Sequence, residues 1–311
     1  MSIVVGVAPG HCSRSAVRLG VLLARSYEQD LVLVSVNSAA WPPVDSKVDA
    51  EYQAFLVGKA QAALDEAKAL VPDDLNSSYL VRGASSARRG LLEVCRELDA
   101  MRLVVGSAPG GGDGRITLGS VSTGLLQSAG LPVALAPHGF DVPDGARLER
   151  VTAAYNGSET SAELMLGAAA IAAHARAGIR IASFAPRPRS DATARVGLNA
   201  ESDVIAEWGA VIRMHTDELL GDIAQFTVQP TSVEVAVGAG KDWGAAMRSV
   251  DWKPAEVLLV GSSSLGPLAR VSLGSHAAKI VRNSPVPVVL VPRRASEAYA
   301  AQVEPLTGPR L

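Results

Sequence analysis

The sequence predicts an α/β protein built from two tandem doubly wound, Rossmann-like domains, each an open five-stranded parallel sheet with helices on both faces. Three observations carry this. Short apolar runs alternate with segments of helical period along the chain, the connections between them are short, and a set of landmarks occurs twice at one fixed spacing. Gly83 recurs as Gly238, Gly106-Ser107 as Gly261-Ser262, Arg115 as Arg270, Leu118-Gly119-Ser120 as Leu273-Gly274-Ser275, and Pro132-Val133 as Pro287-Val288, each pair 155 positions apart. A period this long makes each copy a complete domain with its own core rather than one unit of a stacked solenoid.

In the first copy, residues 3–8 form an unbroken apolar run ending at Pro9-Gly10, the pattern of a strand buried on both faces. Ser13 or Ser15 then caps a helix that turns Val17, Val21, Leu22 and Ala24 inward. Residues 31–36 are a second buried strand, followed by a loop with Trp41-Pro42-Pro43 and a helix with inward spacing Val48, Tyr52, Phe55, Ala63, Ala67, Lys59 lying at the edge of that stripe. Residues 79–81 give a third strand, and a helix from Ser86 carries Leu91, Leu92, Cys95 and Leu98. Residues 103–105 form a fourth strand running into a glycine-rich loop. A helix from Ser120 and a strand over 133–136 close the unit.

The second copy replays this order with strands over 151–155, 179–184, 233–237, 257–260 and 288–291, a helix over 164–172 and a long helical region through Trp208 and Ile223. Gly10 matches Ser158 at a spacing of 148, so the second copy gained about seven residues in its middle, a change that loops absorb at little cost. The expected boundaries are domain 1 over 1–138, a linker over 139–148 marked by Gly139, Pro143, Asp144 and Gly145, domain 2 over 149–293, and a tail over 294–311 with a short helix within 295–303.

Composition excludes several classes. A net charge of -2 with scattered Lys and Arg lacks the basic stripe of a nucleic-acid binder. Cys12 and Cys95 are the two cysteines, which gives no disulfide framework or metal-ligand spacing and suits a reducing cytoplasm. The N-terminus opens directly on a strand with no signal-peptide pattern, and no segment reaches membrane-spanning length. The expected location is the cytoplasm.

The chemistry lies in the fourth loop of each copy, which leaves a strand and enters a helix at the sheet edge where open α/β folds bind ligands. Glycine lets a phosphate approach the backbone, free N–H groups at a helix start face an anion, and Arg115 or Arg270 adds charge. The alternative is that these glycines only turn the chain and that Ser120 and Ser275 are N-caps. His276 follows the Gly-Ser pair within reach of a phosphate, but neither it nor His11 has a partner at triad spacing, and a solvated role suits both.

Residues 103–137 and 258–292 resemble the universal stress protein family, with its strand, glycine loop, Gly-Ser helix start and Pro-Val closing strand. The family's nucleotide motif G-x2-G-x9-G-[ST] matches at Gly106 with Gly119-Ser120 and at Gly261 with Gly274-Ser275, while Pro109 and Ser264 replace the inner glycine. The family's Asp-Gly-Ser after the first strand reads Ala8-Pro9-Gly10 in the first copy and Asn156-Gly157-Ser158 in the second. The resemblance implies a stress-response regulator that binds ATP or another adenine nucleotide, with or without Mg, best in domain 2. There Asn156 would meet the purine edge, the backbone near Phe184 would flank the base, and Gly261, Ser262, Gly266, Arg270, Gly274, Ser275 and His276 would hold the phosphates. In domain 1 the matching positions are Val36, Gly106, Ser107, Arg115, Gly119 and Ser120. No catalytic or metal-ligating set is placed, so hydrolysis would be slow at most. The closing strands would pair within one chain as they do across the family's two-fold axis, and a homodimer of chains is a further assembly. The altered motifs leave open a second reading, a nucleotide-free scaffold acting through its surfaces.

Overall fold

The computed structural model describes residues 1–38, 47–186, 198–261 and 274–292. The first copy runs β1 (Ser2–Val7), α1 (Arg14–Tyr27), β2 (Asp30–Ser38), α2 (Lys47–Lys68), β3 (Ser77–Ala84), α3 (Ala87–Glu97), β4 (Arg102–Gly106), α4 (Ser120–Ser128) and β5 (Val133–Ala136). The second runs β6 (Arg150–Ala154), α5 (Glu159–His174), β7 (Gly178–Pro186), α6 (Leu198–Ile223), β8 (Val233–Gly240), α7 (Trp243–Arg248), β9 (Glu256–Gly261), α8 (Ser275–Asn283) and β10 (Val288–Val291). The expected tail helix, Trp41, Ser262, Gly266 and Arg270 lie outside the described residues.

All ten strands form one sheet in the order β3-β2-β1-β4-β5-β10-β9-β6-β7-β8. Every neighbouring pair is parallel except β5 and β10, which run antiparallel with Ala134 opposite Val289. That single reversal sets the C-terminal sheet edge of each copy beside the N-terminal edge of the other. Central strands such as β2 and β9 are apolar because both faces are covered. One core layer holds α1, α2 and α5 against the sheet, and the other holds α3, α4, α7 and α8.

Local chemistry sets the helix ends. Ser13 caps α1, its hydroxyl accepting from Ala16 N, and Glu28 ends the helix in the left-handed region at φ 54. The stripe expected on α2 is corrected: Val48, Tyr52 and Phe55 are exposed at 76%, 40% and 55%, and only Ala60, Ala63, Leu64 and Ala67 are buried. At 1.5 Å per residue the helix is about 33 Å long, longer than the strand it follows, so its first turns overrun the sheet. Lys59 stands over the Phe55 ring at 4.7 Å. Leu98 is also exposed, because it ends α3 as its C-cap. The short helix α7, capped by Asp242, was hidden from sequence reading by its length.

Two features separate the copies. Under the second copy's sheet, Glu256 is fully buried and binds Arg150 at 2.7 Å, Arg180 and the Thr152 hydroxyl, while Arg150 also reaches Glu234 at 3.0 Å. Burial pushes the Arg180 guanidinium down; it acts on Arg150 too, but there the bonds and charges of Glu256 and Glu234 outweigh it and hold Arg150 up. In the matching strand registers the first copy has Ser2, Val4, Val32 and Met101. Secondly, the segment between β5 and β6 is packed rather than loose. Val142 and Leu148 are buried, Arg18 holds Asp141 at 2.7 Å and Asp144 at 2.9 Å, and Leu148 N donates to Ser26 Oγ at 2.8 Å. Across the junction of the copies, Tyr27 stacks on His174 with ring centroids 6.2 Å apart.

Candidate functional site

In each copy the strand order reverses beside the first strand, between β1 and β4 and between β6 and β9, which opens a crevice at the C-terminal sheet edge. The loop after β4 and the start of α4 converge on the first crevice, and the start of α8 lies at the second. Gly119 and Gly274 occupy the N-cap positions, so Ser120 and Ser275 are first helical residues rather than caps, and both are exposed. Neither glycine has positive φ. At Gly119 the requirement is space, since a Cβ would stand 3.0 Å from Ala108 Cβ.

In the first copy the glycine loop is bonded to itself. Ala108 N donates to Thr117 O at 2.8 Å, Thr117 N to Ser107 Oγ at 3.2 Å, and the Ser107 hydroxyl to Ala136 O at 2.8 Å. His138 fastens the loop's tip: Gly114 N donates to its carbonyl at 2.8 Å, its own N–H to Arg115 O at 3.0 Å, and its Nε2 to Ala108 O at 2.8 Å. Gly119 N donates to Ser122 Oγ at 2.8 Å. Several amides that a phosphate would use are thereby engaged, and Arg115 points into solvent. Gly106 is pinned as well, because a Cβ there would collide with the Ser13 side chain that caps α1.

At the same places the second copy's described residues engage each other differently. Among the described residues a Cβ at Gly261 would meet Leu164 Cδ2 alone, at an ordinary 3.6 Å. Asn156 is exposed, and its Oδ1 accepts from Ser158 N at 3.1 Å and Ser158 Oγ at 2.7 Å, closing a turn over Gly157 at φ 83. Both acceptor lone pairs are spent, so Asn156 presents its amide N–H groups rather than an acceptor and donor together. Phe184 stacks on Trp252 at 6.4 Å within the α7–α8 layer, and Val36 is buried in the corresponding layer of the first copy. Backbone is therefore what these two positions offer a base. His276 leans on Trp243, ring centroids 5.7 Å apart, and Lys279 stands 5.8 Å from the same ring.

Sequence reading missed two polar groups at the end of β2. Ser35 Oγ and Asn37 Oδ1 are buried without a hydrogen-bond partner among the described residues. Their signal was present as polar side chains interrupting an apolar strand. In the second copy the matching Ser183 hydroxyl is satisfied by Tyr155 O at 2.5 Å, and Ala185 stands opposite Asn37's place. No cluster of His, Cys, Asp and Glu fit for a metal occurs among the described residues, and no described helix is long and apolar enough to cross a membrane.

Fold and crevice together define the class: a tandem pair of doubly wound α/β domains, each with a helix start facing the point where its strand order turns. The universal stress protein family model matches residues 1–137 and again 147–292, and the chain belongs to that family. It is 35% identical over 296 residues to universal stress proteins of Mycobacterium tuberculosis and Mycobacterium bovis, covering 94% of this chain and 100% of each relative. A universal stress protein from Archaeoglobus fulgidus superposes with TM-score 0.58 at 16% identity, over 93% of this chain and 98% of its own.

Proposed function

We propose that the chain is a cytoplasmic stress-response regulator that binds an adenine nucleotide, ATP being the best fit, in the crevice of the second copy. The observation that carries this is the exposed start of α8, Gly274-Ser275, at the strand-order reversal between β6 and β9. The first-turn N–H groups of a helix and the positive end of its dipole attract phosphate. Among the described residues none crowds Gly261, and the Asn156 amide N–H groups can meet a purine acceptor. Ser262, Gly266 and Arg270 would complete the phosphate contacts, Mg accompanying ATP. The first copy favours the scaffold reading, because its loop amides are already bonded. The antiparallel β5–β10 pair makes one chain the counterpart of a two-domain dimer, and pairing of two chains would build on that unit.

Isothermal titration of the full chain with ATP tests the reading. Gly274→Val, which blocks approach to the helix start, and Arg270→Ala, which removes a charge, should each weaken binding by roughly ten-fold or more. Gly119→Val should leave the affinity unchanged. Equal affinity in the parent and both second-copy variants, with circular dichroism unaltered, would contradict it.

A further inference from the structure

The reversal between β5 and β10 creates a cleft that neither copy holds alone. It measures about 410 Å³, opens to solvent, and lies where the first copy's glycine loop and the segment after β5 face the lead-ins of β9 and β10. This volume falls within the roughly 300–1,000 Å³ range of small-molecule sites. Its aromatic lining is held in place. Trp252 donates Nε1–H to Met247 O at 2.7 Å and lies over the Arg180 guanidinium at 4.9 Å, and the His138 ring is fixed by Ala108 O. Phe140 completes the apolar lining from the first copy. Such fixed surfaces lower the ordering cost of binding.

The charges on the two sides are complementary and unspent. Asp113 comes from the first copy and Lys253 from the second, and neither side chain has a charged or hydrogen-bonding partner among the described residues. Asp141, also on the lining, is already neutralised by Arg14 and Arg18. A polyphosphate is a poor fit, because one lysine faces it and the nearby Gly114 and Arg115 N–H groups are bonded within the protein. We propose that this cleft binds a small aromatic zwitterion, an aromatic amino acid or close analogue, with its ring against Trp252 and Phe140, its carboxylate on Lys253 and its ammonium on Asp113. Its occupant would tie the first copy's glycine loop to the second copy's sheet.

Calorimetric titration of the full chain with L-phenylalanine, phenylacetate and phenethylamine tests this. Saturable binding of one phenylalanine per chain is expected, weakened roughly ten-fold or more by Lys253→Gln and by Asp113→Asn. Phenylacetate should remain sensitive to Lys253→Gln and lose sensitivity to Asp113→Asn. Asp113 is exposed and Lys253 half-buried, and unchanged circular dichroism would show the fold retained. Absence of saturable phenylalanine binding at millimolar concentration, affinity indifferent to both variants, or displacement of phenylalanine by ATP would each overturn the proposal.

Discussion

The two copies share strand order, connections and crevice position, but they spend their polar groups in different places. The first copy has an uncharged floor, with Ser2, Val4, Val32 and Met101 where the second buries Arg150, Thr152, Arg180 and Glu256, and it binds its glycine loop through Ser107 and His138. The second has a buried ion cluster at the N-terminal edge of its sheet and, among the described residues, no side chain crowding Gly261 as Ser13 crowds Gly106. A duplicated fold thus fixes where a site can form, while a handful of side chains decides whether the backbone there is free to meet a ligand.

The largest predicted effect breaks this comparison at the floor. Glu256→Ala leaves Arg150 and Arg180 buried without their shared carboxylate and should cost about 3–5 kcal/mol, read by urea denaturation. Replacing Arg150, Arg180 and Glu256 together by methionine makes the floor resemble the first copy and should return stability to within about 2 kcal/mol of the parent. If the triple variant were as unstable as Glu256→Ala, unpaired charge would not be the cause.

A smaller contrast lies at the paired strand ends. Gly106→Ala drives a methyl group into Ser13 and should cost about 1–3 kcal/mol, whereas Gly261→Ala makes an ordinary contact and should change stability by less than about 1 kcal/mol. Equal costs would remove the difference in crowding. His138→Ala deletes one bond to the glycine loop and should cost about 1 kcal/mol, with faster amide exchange at Gly114.

Thiol chemistry gives the mildest test. Burial raises the Cys95 thiol from 9.0 to about 12. Because the folded value is the higher one, its contribution is fully present below pH 9 and is lost as pH rises toward 12. Cys95→Ala should flatten that alkaline loss of stability, measured by denaturation at stepped pH.

Much of the fold was legible because strands buried on both faces read as apolar runs, and the 155-residue repeat marked the copies. The reach of α2 was not legible: Val48, Tyr52 and Phe55 have core-like spacing, yet the helix overruns its sheet. Nor was the ion cluster, since Arg150, Arg180 and Glu256 are far apart in sequence and meet only through the strand register. At the crevices, the glycines and helix starts read from sequence lie at the C-terminal sheet edge of their own copy. Sequence could not show that His138, read as the last residue before a linker, fastens the first loop, or that Ser158 occupies the Asn156 carbonyl. Such bonds depend on backbone geometry rather than residue type.

Under the proposed function the second crevice takes nucleotide, and the first, whose loop amides are bonded within the protein, does not. Native mass spectrometry of the intact chain with Mg-ATP counts the sites directly. The asymmetry predicts one nucleotide per chain, lost in Gly274→Val and kept in Gly119→Val; two nucleotides per chain, or one that survives Gly274→Val and disappears in Gly119→Val, would contradict it.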